Sequence, residues 1–376
     1  MDWLTAPEAL ALLGTQPQTL YANVSRGRIK ARPDPADSRR SLYRGDDVRR
    51  MALRVSGRRR QEDIAGETMQ WGQPVLRTAI STVDSGRLLY RGHDACTLAE
   101  TATLEEVAAL LWQAPISLGG PAASGQGLAG TFAALAGMAA RPMAAGRSPA
   151  ILAGQAGQVL GTMASALAGT EATREPLHFR LALHWRRPAA ADILRRAMVL
   201  LADHELNAST FAARVTVSTG ASLWAGALSG LATLGGPRHG LASREISALA
   251  GDIPPMPEAA EAALRDWLGE GRTVPGMGHQ LYPLGDPRCR ALLAGFESTA
   301  TFETYRIAAE SLTGDLPNID FALAALTARF DLPSDAGLTL FALARAVGWL
   351  AHMMEQIASG DTIRPRARYV GQGSPG

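Results

Sequence analysis

The sequence predicts a mostly helical protein, in which an all-α body follows a small basic module. Twelve segments between residues 103 and 358 have the apolar spacing of helices. No segment after residue 92 alternates convincingly with the period of two that half-buried strands require. Residues 1–60 hold 13 Arg and Lys against 6 Asp and Glu, a net charge of +7, whereas the remainder is net negative. The chain is therefore expected to consist of two differently charged parts, the larger helical rather than a parallel sheet.

Composition places the chain among globular proteins of a reducing compartment. It has 376 residues, 47% of them hydrophobic and 19% charged, with only two cysteines, Cys96 and Cys289. The start, Met1–Thr5, lacks the basic residues and apolar run of a secretory signal. The charge-poor stretch 148–170 is interrupted by glycines and glutamines, which favours a closely packed buried helix over a membrane span. We expect a cytoplasmic protein without a membrane segment.

The basic N-terminal part has the pattern of a winged helix-turn-helix. Thr5 and Glu8 have capping-box spacing before a short helix that Gly14 would end, and a second helix would run over 17–25. Two β-prone runs, 28–31 and 41–44, would form a hairpin wing. Over residues 1–62 the pattern resembles the MerR or excisionase type, with a charged linker at 58–63. The functional interpretation is DNA binding through Gln18, Tyr21, Asn23 and the wing arginines, and the alternative is a packing or dimerising module.

The body begins with one expected hairpin and continues as helices. Residues 77–83 and 87–92 are β-prone and flank Asp84-Ser85-Gly86, which is typical of a tight turn. The helical segments after it are predicted at 103–113, 127–140, 149–167, 190–203, 208–218, 220–234, 241–250, 256–269, 287–294, 302–313, 319–330 and 338–358.

Three breaks between these helices carry the residues of a candidate site. They are Gly235–Gly240 with His239, Pro275–His279 with His279, and Pro317–Asp320 with Asp320. Glycine and proline let the main chain turn sharply and approach a small ligand closely, and a helix follows each break. The fingerprint GxGxxG at 125–130 lacks a preceding strand, so a dinucleotide site is not predicted.

The sequence from residue 78 to 371 resembles the citrate synthase family. The motifs that carry the resemblance occur in the family's order: Leu88 with Tyr90-Arg91-Gly92, Ala202–Phe211, Gly236–Gly240, Pro275–His279, Asp286-Pro287-Arg288, Pro317–Asp320, Ala344–Gly348 and Arg364–Gly371.

The resemblance implies a fold, a reaction and roles for individual residues. It implies a large domain, 68–239 with 326–376, and a small domain, 240–325, which close on each other. The reaction would join an acyl-CoA to oxaloacetate and hydrolyse the thioester, with no metal or other cofactor. The implied catalytic residues are Asp320 as the base at the acyl α-carbon, His239 at the thioester oxygen and His279 at the oxaloacetate carbonyl. The implied oxaloacetate ligands are His204, Arg288, Arg345 and, from the other subunit of a homodimer, Arg364.

Elementary chemistry supports these residue types independently. The α-proton of a thioester is weakly acidic, so a carboxylate can remove it only if a preorganised donor meets the developing enolate oxygen. The helix after His239 would disfavour imidazolium and so keep a neutral donor. A helix N-terminus would also lower the pKa of Asp320, which opposes its use as a base. Arg345 interrupts an apolar helix and needs an anion as its partner.

Two alternatives stay open at this stage. Propionyl-CoA in place of acetyl-CoA would give 2-methylcitrate, and one methylene is a weak basis for discrimination. After His279 this chain has Gln280–Pro283, where many family members have a basic residue, so the CoA contacts are not predicted. The alternative of another class is a DNA-binding regulator whose synthase-like body senses a metabolite.

Overall fold

The computed structural model describes residues 3–13, 20, 24, 29–34, 37–49, 76–141, 146–169, 175–237 and 239–365, without the side chains of 37–40. The chain divides into two compact units between Leu76 and Arg77. The predicted linker at 58–63 lies outside the described residues. The boundaries proposed for a module at 1–62 stay a prediction.

Among its described residues, the first unit contains helix α1 (Ala6–Leu13), a helical segment at 45–49 and a three-stranded antiparallel sheet. Helix α1 is followed by β2 (Ala31–Asp34) and β3 (Asp37–Arg44), and β3 also pairs with β1 (Trp3–Leu4). The predicted hairpin is thus present. The small hydrophobic core of this unit includes Leu13, Ile29 and Tyr43.

The second helix of the expected helix-turn-helix is not established. Leu20 and Val24 are helical, but the rest of 14–28 lies outside the described residues, as do Gln18, Tyr21 and Asn23. A winged helix-turn-helix is therefore not confirmed.

The second unit opens with the predicted hairpin, β4 (Ser81–Asp84) and β5 (Arg87–Tyr90), to which the short β6 (His93–Asp94) is added. All its larger elements are helices. They are α2 (Ala95–Thr101), α3 (Leu104–Trp112), α4 (Gly127–Ala139), α5 (Pro149–Ala168), α6 (Leu177–His184), α7 (Ala191–Leu201), α8 (Ala208–Ser218), α9 (Leu223–Leu234), α10 (Ala242–Asp252), α11 (Pro257–Gly269), α12 (Pro287–Leu293), α13 (Ala300–Thr313), α14 (Ile319–Arg329) and α15 (Ala336–Ser359).

The helical body is confirmed, and two short helices were missed. Each of the twelve predicted segments corresponds to a helix, with ends that differ by a few residues. Helices α2 and α6 have seven and eight residues, too few to show an apolar period. Helix α2 has one local signal, the Asp94 side chain that accepts from the backbone N–H groups of Cys96 and Thr97.

Two hydrophobic cores meet at helix α14. The larger core gathers residues of α3, α5, α7, α9 and α15, and the smaller gathers residues of α10, α11 and α13. Helix α14 contributes Ala322 and Leu323 to the larger core and Phe321 and Ala324 to the smaller one. Asp320, in the first turn of α14, therefore lies where the two cores adjoin. The division into a large and a small domain at 240–325 remains a prediction.

The stretch considered as a possible membrane span forms a buried helix. Helix α5 packs so closely that a side chain at Gly157 or Gly161 would overlap the carbonyl oxygens of Ser117 and Gly119. Among the described residues, only helix α15 is long and apolar enough to cross a membrane, and 94% of its most apolar 18-residue window is buried inside the protein.

Candidate active site

His279 lies in a tight turn that fixes its protonation. Glycines with positive φ, Gly276 and Gly278, allow the chain to bend before it. The backbone N–H of Leu281 donates to Nδ1 of His279 over 3.1 Å. Burial and the charge of Arg288 lower the pKa of His279 to about 4. Since an N–H group can only donate, the neutral ring carries its proton on Nε2 and can donate from that atom.

A buried ion pair stands beside this turn. Arg288, 2% exposed, donates from Nε and Nη2 to the two carboxylate oxygens of Asp286, over 2.9 and 2.7 Å. Asp286 also accepts from the backbone N–H groups of Arg288 and Ile319. Burial opposes its ionisation, but Arg288 holds the pKa of Asp286 below its usual range. The pair fixes the start of α12 against the start of α14.

His204 occupies the centre of the site. Its Nε2 lies 2.9 Å from the hydroxyl oxygen of Tyr282, and its ring meets that of His279 edge-on, with centroids 5.2 Å apart. Burial comes first among the causes that lower its pKa well below the usual value, and Arg288 and Arg345 add to it. His204 is therefore neutral at pH 7.

His239 lies just before helix α10 and packs against Phe341. Its Nε2 is 2.9 Å from Oγ of Ser209, which donates to Oδ1 of Asn207 and accepts from Nε1 of Trp349. Burial and then Arg345 lower the pKa of His239 to about 4. The ring is neutral, as the sequence suggests, but burial rather than the helix end is the main cause.

Asp320 lies at the start of α14, and one of its carboxylate oxygens makes no hydrogen bond with the described residues. The backbone N–H of Asp320 donates to Asn318, which caps the helix. Its Oδ1 is buried without a hydrogen-bond partner in the described part of the chain. Burial raises the pKa of Asp320 to about 6, against the lowering effect of Arg288 and Arg345. The expected lowering by the helix end is thus outweighed, and the carboxyl has the pKa of a useful base.

Arg345 is a buried arginine with little compensation. It is 1% exposed, and its Nε donates to the backbone oxygen of Leu201 over 2.9 Å. Its Nη2 is buried and has no partner among the described residues. Burial lowers its pKa to about 10, while Asp203 acts in the opposite direction without direct contact. An anionic ligand would complete its hydrogen bonds.

The structure brings together six of the seven predicted site residues. Arg288 and Arg345 both act electrostatically on His204 and Asp320, and protonation of His239 or His279 would lower the pKa of His204 further. Phe341 contacts both His239 and Arg345.

Arg364 lies elsewhere. The neighbouring Ile363 is held by Ser218 at the end of α8, whereas Ser209 beside His239 lies at its beginning, about 14 Å away along the axis. Within the described residues of this chain, Arg364 is exposed and has no hydrogen bond or ion pair.

Sequence reasoning missed three residues that hold these groups: Tyr282, Ser209 and Asp286. Asp286 stands two residues before Arg288 in the same motif, a spacing from which their contact could be inferred. Ser209 stands in the motif Ala202–Phe211, but its partner His239 lies 30 positions away, so the sequence gives no local signal for that contact. Tyr282 belongs to the stretch 280–283 that was set aside as a departure from the family pattern. Its turn with His279, closed by a hydrogen bond from the Tyr282 N–H to the His279 oxygen, was the available signal.

Comparison with known proteins decides the family. The model of the family described as "Citrate synthase, C-terminal domain" matches residues 69–117 and 128–366. The chain belongs to the citrate synthase family. A citrate synthase of Haloferax volcanii is 30% identical over 344 residues, which cover 77% of this chain and 91% of the relative. A 2-methylcitrate synthase of Shewanella oneidensis is 29% identical, covering 80% and 93%.

A solved structure supports the fold. The citrate synthase of Thermoplasma acidophilum, in a ternary complex with carboxymethyl coenzyme A and oxaloacetate, has a TM-score of 0.64, with 22% identity, covering 81% of this chain and 96% of that one. The family prediction and the citrate synthase fold are therefore confirmed. The chain is an acyltransferase of the citrate synthase type, which condenses acetyl-CoA with oxaloacetate.

Proposed function

We propose that the six converging residues divide the reaction as the family resemblance implies, with Asp320 as the base. The observation that carries this is the buried, unpartnered Oδ1 of Asp320, whose pKa of about 6 leaves it mostly ionised at pH 7. This carboxylate would take a proton from the α-carbon of the acyl group. Its proton affinity lies close to the working pH, where general bases are most effective.

His239 would stabilise the enol that forms. It would donate to the thioester oxygen from Nδ1, the nitrogen not engaged by Ser209. The neutral ring has one proton, so this role requires the Ser209 hydroxyl to turn its proton from Oδ1 of Asn207 to Nε2. Asn207 would then keep the Thr210 backbone N–H as its donor. Such a preorganised donor typically contributes about 10²- to 10³-fold in rate.

His279 would activate the second substrate. From Nε2, whose proton is fixed by the Leu281 amide, it would donate a hydrogen bond to the carbonyl oxygen of oxaloacetate as the enol carbon attacks the carbonyl carbon, and the proton that Asp320 removed balances the alkoxide that forms. Water would then hydrolyse the thioester of the adduct and release citrate and CoA. No step of this scheme calls on a metal or another cofactor, because histidine donors meet both developing oxyanions.

Oxaloacetate carboxylates would bind between the two arginines. Arg345 offers the unpartnered Nη2, and His204 offers a neutral donor beside it. Oxaloacetate and a CoA derivative occupy the related Thermoplasma acidophilum enzyme together, which supports the same pair of ligands here. His204→Ala, His279→Ala and Asp320→Ala are each expected to abolish most CoA release in a thiol assay. Undiminished turnover in either of the last two would remove the assignment.

The acyl group is the finer point. Propionyl-CoA, with 2-methylcitrate as the product, is the alternative to acetyl-CoA, since both names occur among relatives of similar identity. The assay is the ratio of kcat/KM for the two thioesters with oxaloacetate. A ratio above one for propionyl-CoA would reverse the assignment.

A homodimer would complete the site with Arg364 of the neighbouring subunit. The position of Arg364 at the far end of α8 supports this, because its own site lies beyond reach. Mixing Arg364→Ala with Asp320→Asn subunits tests it. Each variant alone should be nearly inactive, and hybrids should regain activity because one of their two sites is intact. No recovery would contradict a contribution in trans.

DNA binding by the first unit remains a proposal of another class. The net charge of +7 over residues 1–60 and the β2–β3 hairpin favour it. A regulator with a sensing body would shift duplex DNA in an oxaloacetate-dependent way and release no CoA. Absence of retardation at low salt would end the DNA hypothesis.

We also propose a reducing location such as the cytoplasm. Both cysteines are free thiols.

A further inference from the structure

Tyr282 contacts the site without a role in the scheme above. It is 2% exposed, and its ring packs against both histidine rings, with centroids 4.8 Å from His279 and 5.6 Å from His204. Its hydroxyl oxygen is 2.9 Å from Nε2 of His204. Within the part of the chain that the structure describes, this is the only hydrogen bond of either group.

The protons of this pair can be arranged in two ways. In one, Tyr282 donates to Nε2, and the neutral His204 ring carries its proton on Nδ1. In the other, His204 donates from Nε2 to the hydroxyl oxygen, and the hydroxyl proton of Tyr282 points away. His279 has no such choice, because its partner at Nδ1 is a backbone amide that can only donate.

Hydrogen-bond satisfaction separates the two arrangements. In the second arrangement the Tyr282 proton has no acceptor among the described residues, and an unsatisfied buried donor is costly. The first arrangement satisfies the Tyr282 hydroxyl and leaves one proton, that on Nδ1 of His204, without an acceptor among the described residues. Nδ1 is not one of the fully buried polar atoms that lack a partner, so this proton stays open to a ligand, whereas the second arrangement leaves His204 without a proton to donate to a substrate.

We infer that Tyr282 is a positioning residue for oxaloacetate: its hydroxyl donates to Nε2 of His204 and so holds His204 as the Nδ1–H tautomer, which donates to the substrate. This inference rests on the proposed role of His204 as an oxaloacetate ligand. Burial raises the pKa of the Tyr282 hydroxyl and lowers that of His204, so both stay neutral across the working pH range, as the arrangement requires.

The test is Tyr282→Phe, which keeps the ring packed against the two histidines and removes only the hydroxyl. Without its donor, the His204 ring is free to adopt either tautomer and to turn. KM for oxaloacetate should rise about tenfold, as expected for the loss of one hydrogen bond, while KM for acetyl-CoA should change little. Thermal unfolding checks that the variant is folded.

A spectroscopic measurement distinguishes tautomer control from loss of packing. With ¹⁵N-labelled histidine, the ring nitrogens of His204 should show a protonated Nδ1 in the parent protein and a mixture in Tyr282→Phe. The matched control is Tyr305→Phe, which removes another buried hydroxyl, one that donates to the Pro275 oxygen over 2.8 Å. This control should leave the His204 spectrum unchanged.

The outcomes separate the inference from the function on which it rests. An unchanged oxaloacetate KM in Tyr282→Phe, an unchanged His204 spectrum in that variant, or an Nε2–H tautomer in the parent protein each overturns the inference. In those cases a large loss in His204→Ala still supports the role of His204. If His204→Ala itself keeps the parental KM for oxaloacetate, the proposed role of His204 is wrong.

Discussion

Two kinds of charged group line the site, and they differ in how far the protein compensates them. Asp286 and Arg288 form a bidentate ion pair in which each residue stabilises the charged form of the other. The pKa of Asp286 is lowered and that of Arg288 is raised. Asp320 and Arg345 each have one buried polar atom, Oδ1 and Nη2 respectively, that has no hydrogen-bond partner among the described residues. Their pKa values move the other way, to about 6 and about 10.

This difference separates groups that hold the fold from groups that await a substrate. The compensated pair ties α12 to α14, and within the described residues Asp286 engages Nε and Nη2 of Arg288, so that only Nη1 is left for an oxaloacetate carboxylate. An uncompensated carboxylate costs stability, but it accepts a proton readily. An uncompensated guanidinium keeps a donor for an anion. The physical cost of the second kind is expected to be recovered when oxaloacetate and the acyl thioester bind.

The largest expected effect follows from removing the base. Asp320→Asn keeps the shape and the Asn318 cap of α14 but cannot take the α-proton. The kcat should fall by about 10²- to 10⁴-fold, the usual contribution of a general base. Steady-state thiol release measures it. Oxaloacetate affinity by calorimetry is the control and should be nearly parental; a kcat within a few-fold of the parent would place the base elsewhere.

Removing the open guanidinium should mainly affect oxaloacetate. In Arg345→Leu, loss of charge-assisted hydrogen bonds to a carboxylate should weaken binding by about 100-fold or more. Arg345→Lys keeps the charge but not the planar fork and should recover only part of the affinity. Calorimetric titration with oxaloacetate measures both.

The matched control is Arg195→Leu. Arg195 is also buried, but it donates to Asp192 and to the backbone oxygens of Ala99, Glu100 and Ala102, outside the site. It should lose stability without loss of oxaloacetate affinity. Equal loss of affinity in the two leucine variants would contradict a specific role for Arg345.

Breaking the Asp286–Arg288 pair should lower the free energy of unfolding. Arg288→Leu leaves the Asp286 carboxylate buried without its partner and should lower the free energy of unfolding by about 3 to 5 kcal/mol. Arg345→Leu should cost much less, because its charge is poorly compensated. The double variant Asp286→Leu/Arg288→Leu should regain only part of the loss, since Asp286 also accepts from two backbone amides. Chemical denaturation measures all three, and equal losses in the two arginine variants would refute the distinction.

The sequence predicts most of the fold because long helices can be recognised from the spacing of their apolar residues. Helices such as α15 and α8 can be predicted without knowing what packs against them. Helices α2 and α6 are too short to show a helical period of apolar residues, and they depend on packing. The motifs with His239, His279 and Asp320 could be found because each stands at a glycine or proline break. Arg345 could be found because a charge inside an apolar helix requires an explanation.

The direction of the Asp320 pKa could not be predicted. The helix N-terminus and burial act in opposite directions, and only the surrounding packing of two cores shows that burial prevails. The contacts of Tyr282 with His204 and of Ser209 with His239 likewise join residues 78 and 30 positions apart. Such contacts follow from tertiary structure, not from local pattern.

The smallest effect expected is a change with pH. Asp320 must be ionised to act, so kcat/KM for acetyl-CoA should fall about tenfold per unit below pH 6, while His239 and His279, with pKa values of about 4, stay neutral there.

Because the folded pKa of Asp320 lies above its ordinary value of 3.8, its proton stabilises the folded state below about pH 4, and this contribution is lost as pH rises through about 6. Asp286, with its lowered pKa, has the opposite sign: its contribution is present above 3.8 and lost at lower pH. Unfolding free energies of the parent and Asp320→Asn between pH 4 and 7 isolate the first term, since every other group titrates in both. A difference between the two proteins that stays constant across this range would mean that Asp320 is compensated after all, and the contrast with the Asp286–Arg288 pair would fail.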